Sequence, residues 1–183
     1  DNFLINAMMN HIVEKGLHNP EFVKARCENF DAFRANLAGY PVEEAARVCG
    51  VDADLIRKAA EWYAAGAPSS IFYTLGITEH TCGTENVQNL ANLAMLCGQI
   101  GKESSGINPL RGQNNVQGAC DMGAMNTLLP GYQKVADPAV REKFAAAWGT
   151  PIPTDPGGKL TDFFERAGEG KIKAIYAMGE DFV

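Results

Sequence analysis

Apolar residues recur at helical spacing through the first third of the chain. Phe3, Leu4, Ala7, Met8, His11 and Ile12 mark one face of a helix that Lys15-Gly16 closes. Asn19-Pro20 starts a second helix, with Asn as cap and Pro in the first turn, and Phe22, Val23, Cys27 and Phe30 keep the interval. Asp31 is placed to cap a short helix over 32–37. Another short helix is expected over 41–48, and an Ala-rich amphipathic helix from Ala53 to Ala65 stops at Gly66. Residues 1–66 are therefore expected to form a mainly helical scaffold segment without chemistry of its own.

From Ser69 the texture changes. The run 69–76 is apolar, β-rich and of strand length, and ends in Gly. Helical periodicity returns over 83–98 with Val87, Leu90, Ala91, Ala94, Met95 and Cys97 inside. Residues 124–170 read as a long excursion of loops with helices over 138–148 and 160–167. A second strand is expected over 171–178, delivering Gly179-Glu180-Asp181 at its end. Residues 67–183 thus read as part of an α/β domain, a strand–helix–strand portion of a Rossmann-like open sheet. Ligands of such sheets bind beyond the carboxyl ends of the strands, and a helix N-terminus there favours anionic groups. The loops 76–83 and 178–181 occupy those positions. Convergence of both with the segment 108–123 on one edge is an expectation from pattern.

That segment, Asn-Pro-Leu-Arg-Gly-Gln-Asn-Asn-Val-Gln-Gly-Ala-Cys-Asp-Met-Gly, has no core-forming period and reads as a loop. It holds one guanidinium, five side-chain amides (Asn108, Gln113, Asn114, Asn115, Gln117) and three glycines. Amides offer donors and acceptors together, and arginine offers five donors in a planar fork. Glycine lets backbone approach a ligand closely. The set suits a large polar ligand rich in heteroatoms, or a small planar carboxylate held by Arg111. The plain alternative is a solvated turn region, but apolar helical sequence before the loop argues that it is pinned against a core. Asp121 reads as a helix cap.

The composition, 46% hydrophobic and 21% charged, is that of an ordinary globular chain. A net charge of −6 without any basic run speaks against a nucleic-acid or anionic-membrane surface. No apolar stretch reaches the roughly 20 residues of a membrane span. The five cysteines stand singly without a C-x-x-C pair, so no disulfide framework is read and no metal ligand is assigned. The chain opens without Met in what reads as mid-helix, and we expect an internal piece of a larger multidomain subunit.

Three motifs carry a resemblance that spans nearly the whole chain in order: Gly-Ile-Thr-Glu-His-Thr-Cys-Gly-Thr over 76–84, Asn-Leu-Ala-Met-Leu-Cys-Gly-Gln-Ile-Gly over 92–101, and the run 108–123. Together with Ala-Met-Gly-Glu-Asp over 177–181, they resemble the catalytic subunit of formate dehydrogenases, within the molybdopterin oxidoreductases. The resemblance implies oxidation of formate to CO2 at molybdenum or tungsten held by bis(molybdopterin guanine dinucleotide). It implies a 4Fe-4S cluster and the metal's protein ligand outside this segment, and electron-transfer subunits as partners. By the same resemblance Arg111 holds the formate carboxylate and Gly112 lines that pocket. Gln113, Asn115 and Gln117 would meet pterin or phosphate heteroatoms, with His80 on a pterin and Thr78 and Glu79 beside it. Gly179, Glu180 and Asp181 would approach a guanine nucleotide. The choice between molybdenum and tungsten, the final electron acceptor and the compartment stay open. Two rival readings are another molybdopterin oxidoreductase, such as a nitrate reductase, and a non-catalytic nucleotide-binding or scaffold module.

Overall fold

The computed structural model describes residues 1–179, which divide into two compact units, Asp1–Gly112 and the described residues from Gln113 onward. The first opens with α1 (Asn2–Glu14), α2 (Pro20–Arg26), α3 (Phe30–Leu37), α4 (Val42–Cys49) and α5 (Ala53–Ala65). The cap read at Asn19 forms at the start of α2, and Asp52 caps α5. Asn19 accepts from the Phe22 N–H at 2.9 Å, and Asp52 accepts from the Asp54 N–H at 2.8 Å. The cap expected at Asp31 does not form. Phe30 stacks near His18 and Phe33, which draws the helix start forward and leaves Asp31 inside the first turn facing Arg34 at 3.5 Å.

Helix α1 is apolar on more than one face, and it is accordingly enclosed. Ile5, Met9 and Ile12 join Val23, Leu37, Ala60, Leu90, Leu93 and Leu96 in one cluster, while Ala7 joins Val42, Ala45 and Ile56 in another. Burying a side chain such as Met9 or Ile12 contributes roughly 1.5–3 kcal/mol.

Strand β1 (Ser70–Tyr73) follows, then a single turn α6 (Leu75–Thr78), the long helix α7 (Gly83–Leu96) and strand β2 (Gly106–Pro109). The strands pair in parallel, from Ser70 opposite Gly106 to Tyr73 opposite Pro109, with α7 as the crossover that parallel strands need. The strand–helix–strand unit is present, and its second strand is 106–109. The stretch 171–178 takes an irregular path instead of the expected strand. A strand exists only by pairing, and no described strand is paired with this stretch; Ile175, Tyr176 and Met178 stay exposed. Strand β2 was hidden because Gly-Ile-Asn-Pro offers one large apolar residue and a proline, too little for a strand signal. The loop read over 108–123 is correspondingly shorter.

In the second unit α8 (Val116–Asp121) precedes a tight antiparallel hairpin of β3 (Leu128–Leu129) and β4 (Gln133–Lys134). Helices α9 (Pro138–Trp148) and α10 (Leu160–Gly168) follow where periodicity put them. Asp137 caps α9 through the Ala139 N–H at 2.9 Å. A small core gathers Leu129, Val135 and Phe144. Asp121 ends α8 and does not cap its start, where Asn115 stands.

Candidate functional site

Because β1 and β2 are adjacent and run the same way, the segments that follow them leave from one edge of the sheet. Pro109 has no N–H to give, and the last ladder bond is made by the Leu110 N–H to the Tyr73 carbonyl at 2.8 Å. Arg111 and Gly112 follow at once, both exposed. From β1 the chain passes through α6 to Thr78, Glu79 and His80, also exposed. A Cβ added at Gly76 or at Gly112 would meet nothing within 4 Å, so open space lies beside both glycines.

The turn between α6 and α7 is held tightly. A Cβ at Gly83 would lie 2.1 Å from the Thr78 carbonyl oxygen, an approach only glycine permits. The Gly83 N–H donates to the His80 carbonyl at 2.9 Å. The His80 Nε2 lies 2.9 Å from the Gly76 carbonyl and 3.4 Å from a carboxylate oxygen of Asp1. Both neighbours are acceptors, so Nε2 carries a hydrogen, and in the neutral ring Nδ1 is the acceptor.

Two buried amides that sequence reading passed over fix this unit. Asn86, 1% exposed, donates Nδ2 to the Ile77 carbonyl at 3.0 Å. Gln99, also 1% exposed, donates to the Gly66 carbonyl at 2.7 Å and accepts from the Ser69 N–H at 3.2 Å, tying the entry of β1 to the exit of α7. A signal for Asn86 existed. It falls in register with Leu90, Leu93 and Ala94 on the buried stripe of α7, where an amide must find partners. Asn108, counted among the loop amides, braces β1 through the Ile71 carbonyl at 3.3 Å.

The remaining amides lie in the second unit. Gln113 and Asn114 are exposed, and Asn115 sits in left-handed conformation (φ 53°) at the head of α8. Gln117 donates to Asp121 at 3.1 Å and to the Tyr132 hydroxyl at 2.7 Å, bracing α8 against the hairpin. Desolvation, and then the Asp121 carboxylate, push the Tyr132 phenol above its ordinary value. Gly179 ends the described chain, exposed and at φ +69°. Glu180 and Asp181 lie outside the described residues. Among the described residues no group of three or more His, Cys, Asp or Glu is placed to hold a metal. No described helix is long and apolar enough to cross a membrane.

A family model of molybdopterin oxidoreductases matches residues 1–183. Formate dehydrogenase H of Escherichia coli (strain K12) is 46% identical over 97% of this chain and 25% of its own length. The F420-dependent formate dehydrogenase 1 subunit alpha of Methanococcus maripaludis is 45% identical over 97% of this chain and 26% of its own length. The chain thus spans about a quarter of the length of these relatives. Among solved structures, acetylene hydratase from Pelobacter acetylenicus superposes with a TM-score of 0.52 at 28% identity, over 54% of this chain and 14% of that one. The chain belongs to the molybdopterin oxidoreductase family.

Proposed function

We propose that the chain is part of a formate dehydrogenase catalytic subunit that oxidises formate to CO2, and that it supplies substrate-positioning and cofactor-cradling residues. The observation that carries this reading is Arg111, presented one residue beyond the last ladder bond at the sheet edge shared with the His80 turn. The family implies a molybdopterin cofactor, and we take it to be molybdenum or tungsten bis(molybdopterin guanine dinucleotide). The residues at that edge fit such a group. Exposed Thr78, His80 and Arg111 offer hydroxyl, imidazole and guanidinium, and the space beside Gly76 and Gly112 is open. When bound, the cofactor is the two-electron acceptor, working with a 4Fe-4S cluster carried by other parts of the subunit and with electron-transfer subunits beyond it.

Formate yields CO2, one proton and two electrons. The chain's own contribution is grip and aim. A guanidinium fork can hold both carboxylate oxygens of formate and thereby fix the direction of its C–H bond. Lysine would give the charge without the fork. Gly112, having no side chain, leaves room beside that contact. His80, Thr78 and Glu79 are assigned to pterin heteroatoms, and Gln113, Asn115 and Gln117 to pterin or phosphate atoms. Gly179, Glu180 and Asp181 are assigned to a guanine nucleotide, because carboxylates accept from guanine N1–H and N2–H. The fold does not choose the substrate, since acetylene hydratase shares it. Formate rests on the Arg111-Gly112 pair and on relatives named formate dehydrogenases.

The test is Arg111→Lys in the full subunit. The KM for formate should rise and kcat/KM fall by about 10- to 100-fold, with metal and pterin content unchanged. Turnover with unchanged KM would remove Arg111 from this role.

A further inference from the structure

Asn86 occupies the first turn of α7, fully buried, and reaches back nine residues to the Ile77 carbonyl. Its Oδ1 faces the Cys82 thiol at 3.8 Å, and its backbone N–H donates to the Cys82 carbonyl at 2.9 Å. One residue therefore holds both ends of the turn 77–82, while Gly83 lets the helix start press onto Thr78. A buried amide in this position is costly unless every contact is made, so it favours one shape of the turn over others.

We propose that Asn86 is a positioning residue for His80, holding the turn 77–82 in the single shape that presents the imidazole at the carboxyl edge of β1. This rests on the assignment of that turn to the pterin cofactor. Asn86 acts through backbone, and its loss should loosen the turn before it unfolds the unit. Asn89 is the natural control. It lies on the same helix, and its amide donates to Asn2 on α1 at 2.8 Å and makes no bond to the turn backbone. Because Asn2 adjoins Asp1, which neighbours His80, it serves as a control for exchange of the turn and not for the ring signals.

Asn86→Leu and Asn89→Leu would be compared in the intact holoprotein by amide hydrogen exchange, by ¹⁵N signals of the His80 ring and by cofactor retention. Asn86→Leu should speed exchange of the 77–82 amides by about tenfold or more and shift the His80 signals; Asn89→Leu should leave that exchange unchanged. Unchanged exchange and unchanged ring signals in Asn86→Leu would overturn the role. Loosened exchange with cofactor retention intact would keep Asn86 as the brace and overturn the assignment of the turn to the cofactor. If Asn86→Leu does not fold, Asn86→Asp decides. A protonated carboxyl can donate to the Ile77 carbonyl and an ionised one cannot, so protection of the turn, corrected for intrinsic exchange, should fall between about pH 5 and pH 8. Protection independent of pH would overturn the proposal.

Discussion

The Leu110 N–H bonded to the Tyr73 carbonyl ties the segment carrying Arg111 to the strand that leads to His80. It is the last rung of a ladder whose preceding residue, Pro109, has no hydrogen to give. The Leu110 side chain is 53% exposed, so its backbone is what matters here. Leu110→Pro should cost about 1 kcal/mol of stability for the lost bond and should lower kcat/KM for formate by as much as Arg111→Lys does. Leu110→Ala, which keeps the N–H, should leave both near wild type. Equal kinetic losses in the two variants would show that the side chain, not the rung, holds Arg111 in place.

The contact of Gly83 with Thr78 makes a second prediction. At 2.1 Å from a backbone oxygen, the methyl of Gly83→Ala cannot be accommodated by rotating a side chain. The start of α7 or the turn must move, at a cost of about 1–3 kcal/mol by thermal unfolding. Gly76→Ala adds its methyl to open space and should leave Tm unchanged. If the two variants melt alike, the close approach has no energetic weight.

Much of this was legible beforehand. The Asn19 cap, the Ala53–Ala65 helix and the helix starting at Pro138 follow from local rules that need no tertiary partner. Strand β2 did not, because its existence depends on pairing with β1, a relation between distant residues that four positions cannot advertise. The stretch 171–178 erred in the opposite direction. Its composition suits a strand, but composition supplies no hydrogen-bonding partner. At the site, exposed donors such as Arg111 and His80 stood out by residue type. The buried Asn86 and Gln99 did not, because an amide inside an apolar helical pattern looks like any tolerated polar residue until its partners are seen.

Gln99 can be tested by removing its polar atoms at nearly constant volume. Gln99→Met leaves the Ser69 N–H without its acceptor and takes one donor from the Gly66 carbonyl, which keeps the Ser69 hydroxyl at 2.7 Å. We expect a loss of about 1–3 kcal/mol in denaturant unfolding, with faster exchange at the Ser69 amide. Protection at Ser69 equal to wild type would mean that another group takes over from Gln99.

Cys97 gives the protein an alkaline limit. Burial in the core beside Leu93 and Leu96 pushes its thiol up to about 11 from an ordinary 9.0, against a small opposing pull from Lys102. Burial raises the Tyr63 phenol as well. Both groups stay protonated in the folded chain at a pH where the unfolded chain has begun to lose those protons. The stability they contribute is complete below the unfolded value and declines as pH rises through the folded one. For Cys97 the window runs from about 9 to about 11, and two units correspond to roughly 3 kcal/mol at most. Unfolding free energy should therefore fall steadily above pH 9, and Cys97→Ala should flatten the first part of that decline, leaving the part due to Tyr63 at higher pH. The thiol should also resist alkylation at pH 8 until denaturant is added, since the thiolate is the reactive form. Parallel stability curves for wild type and Cys97→Ala between pH 9 and 10 would refute the linkage.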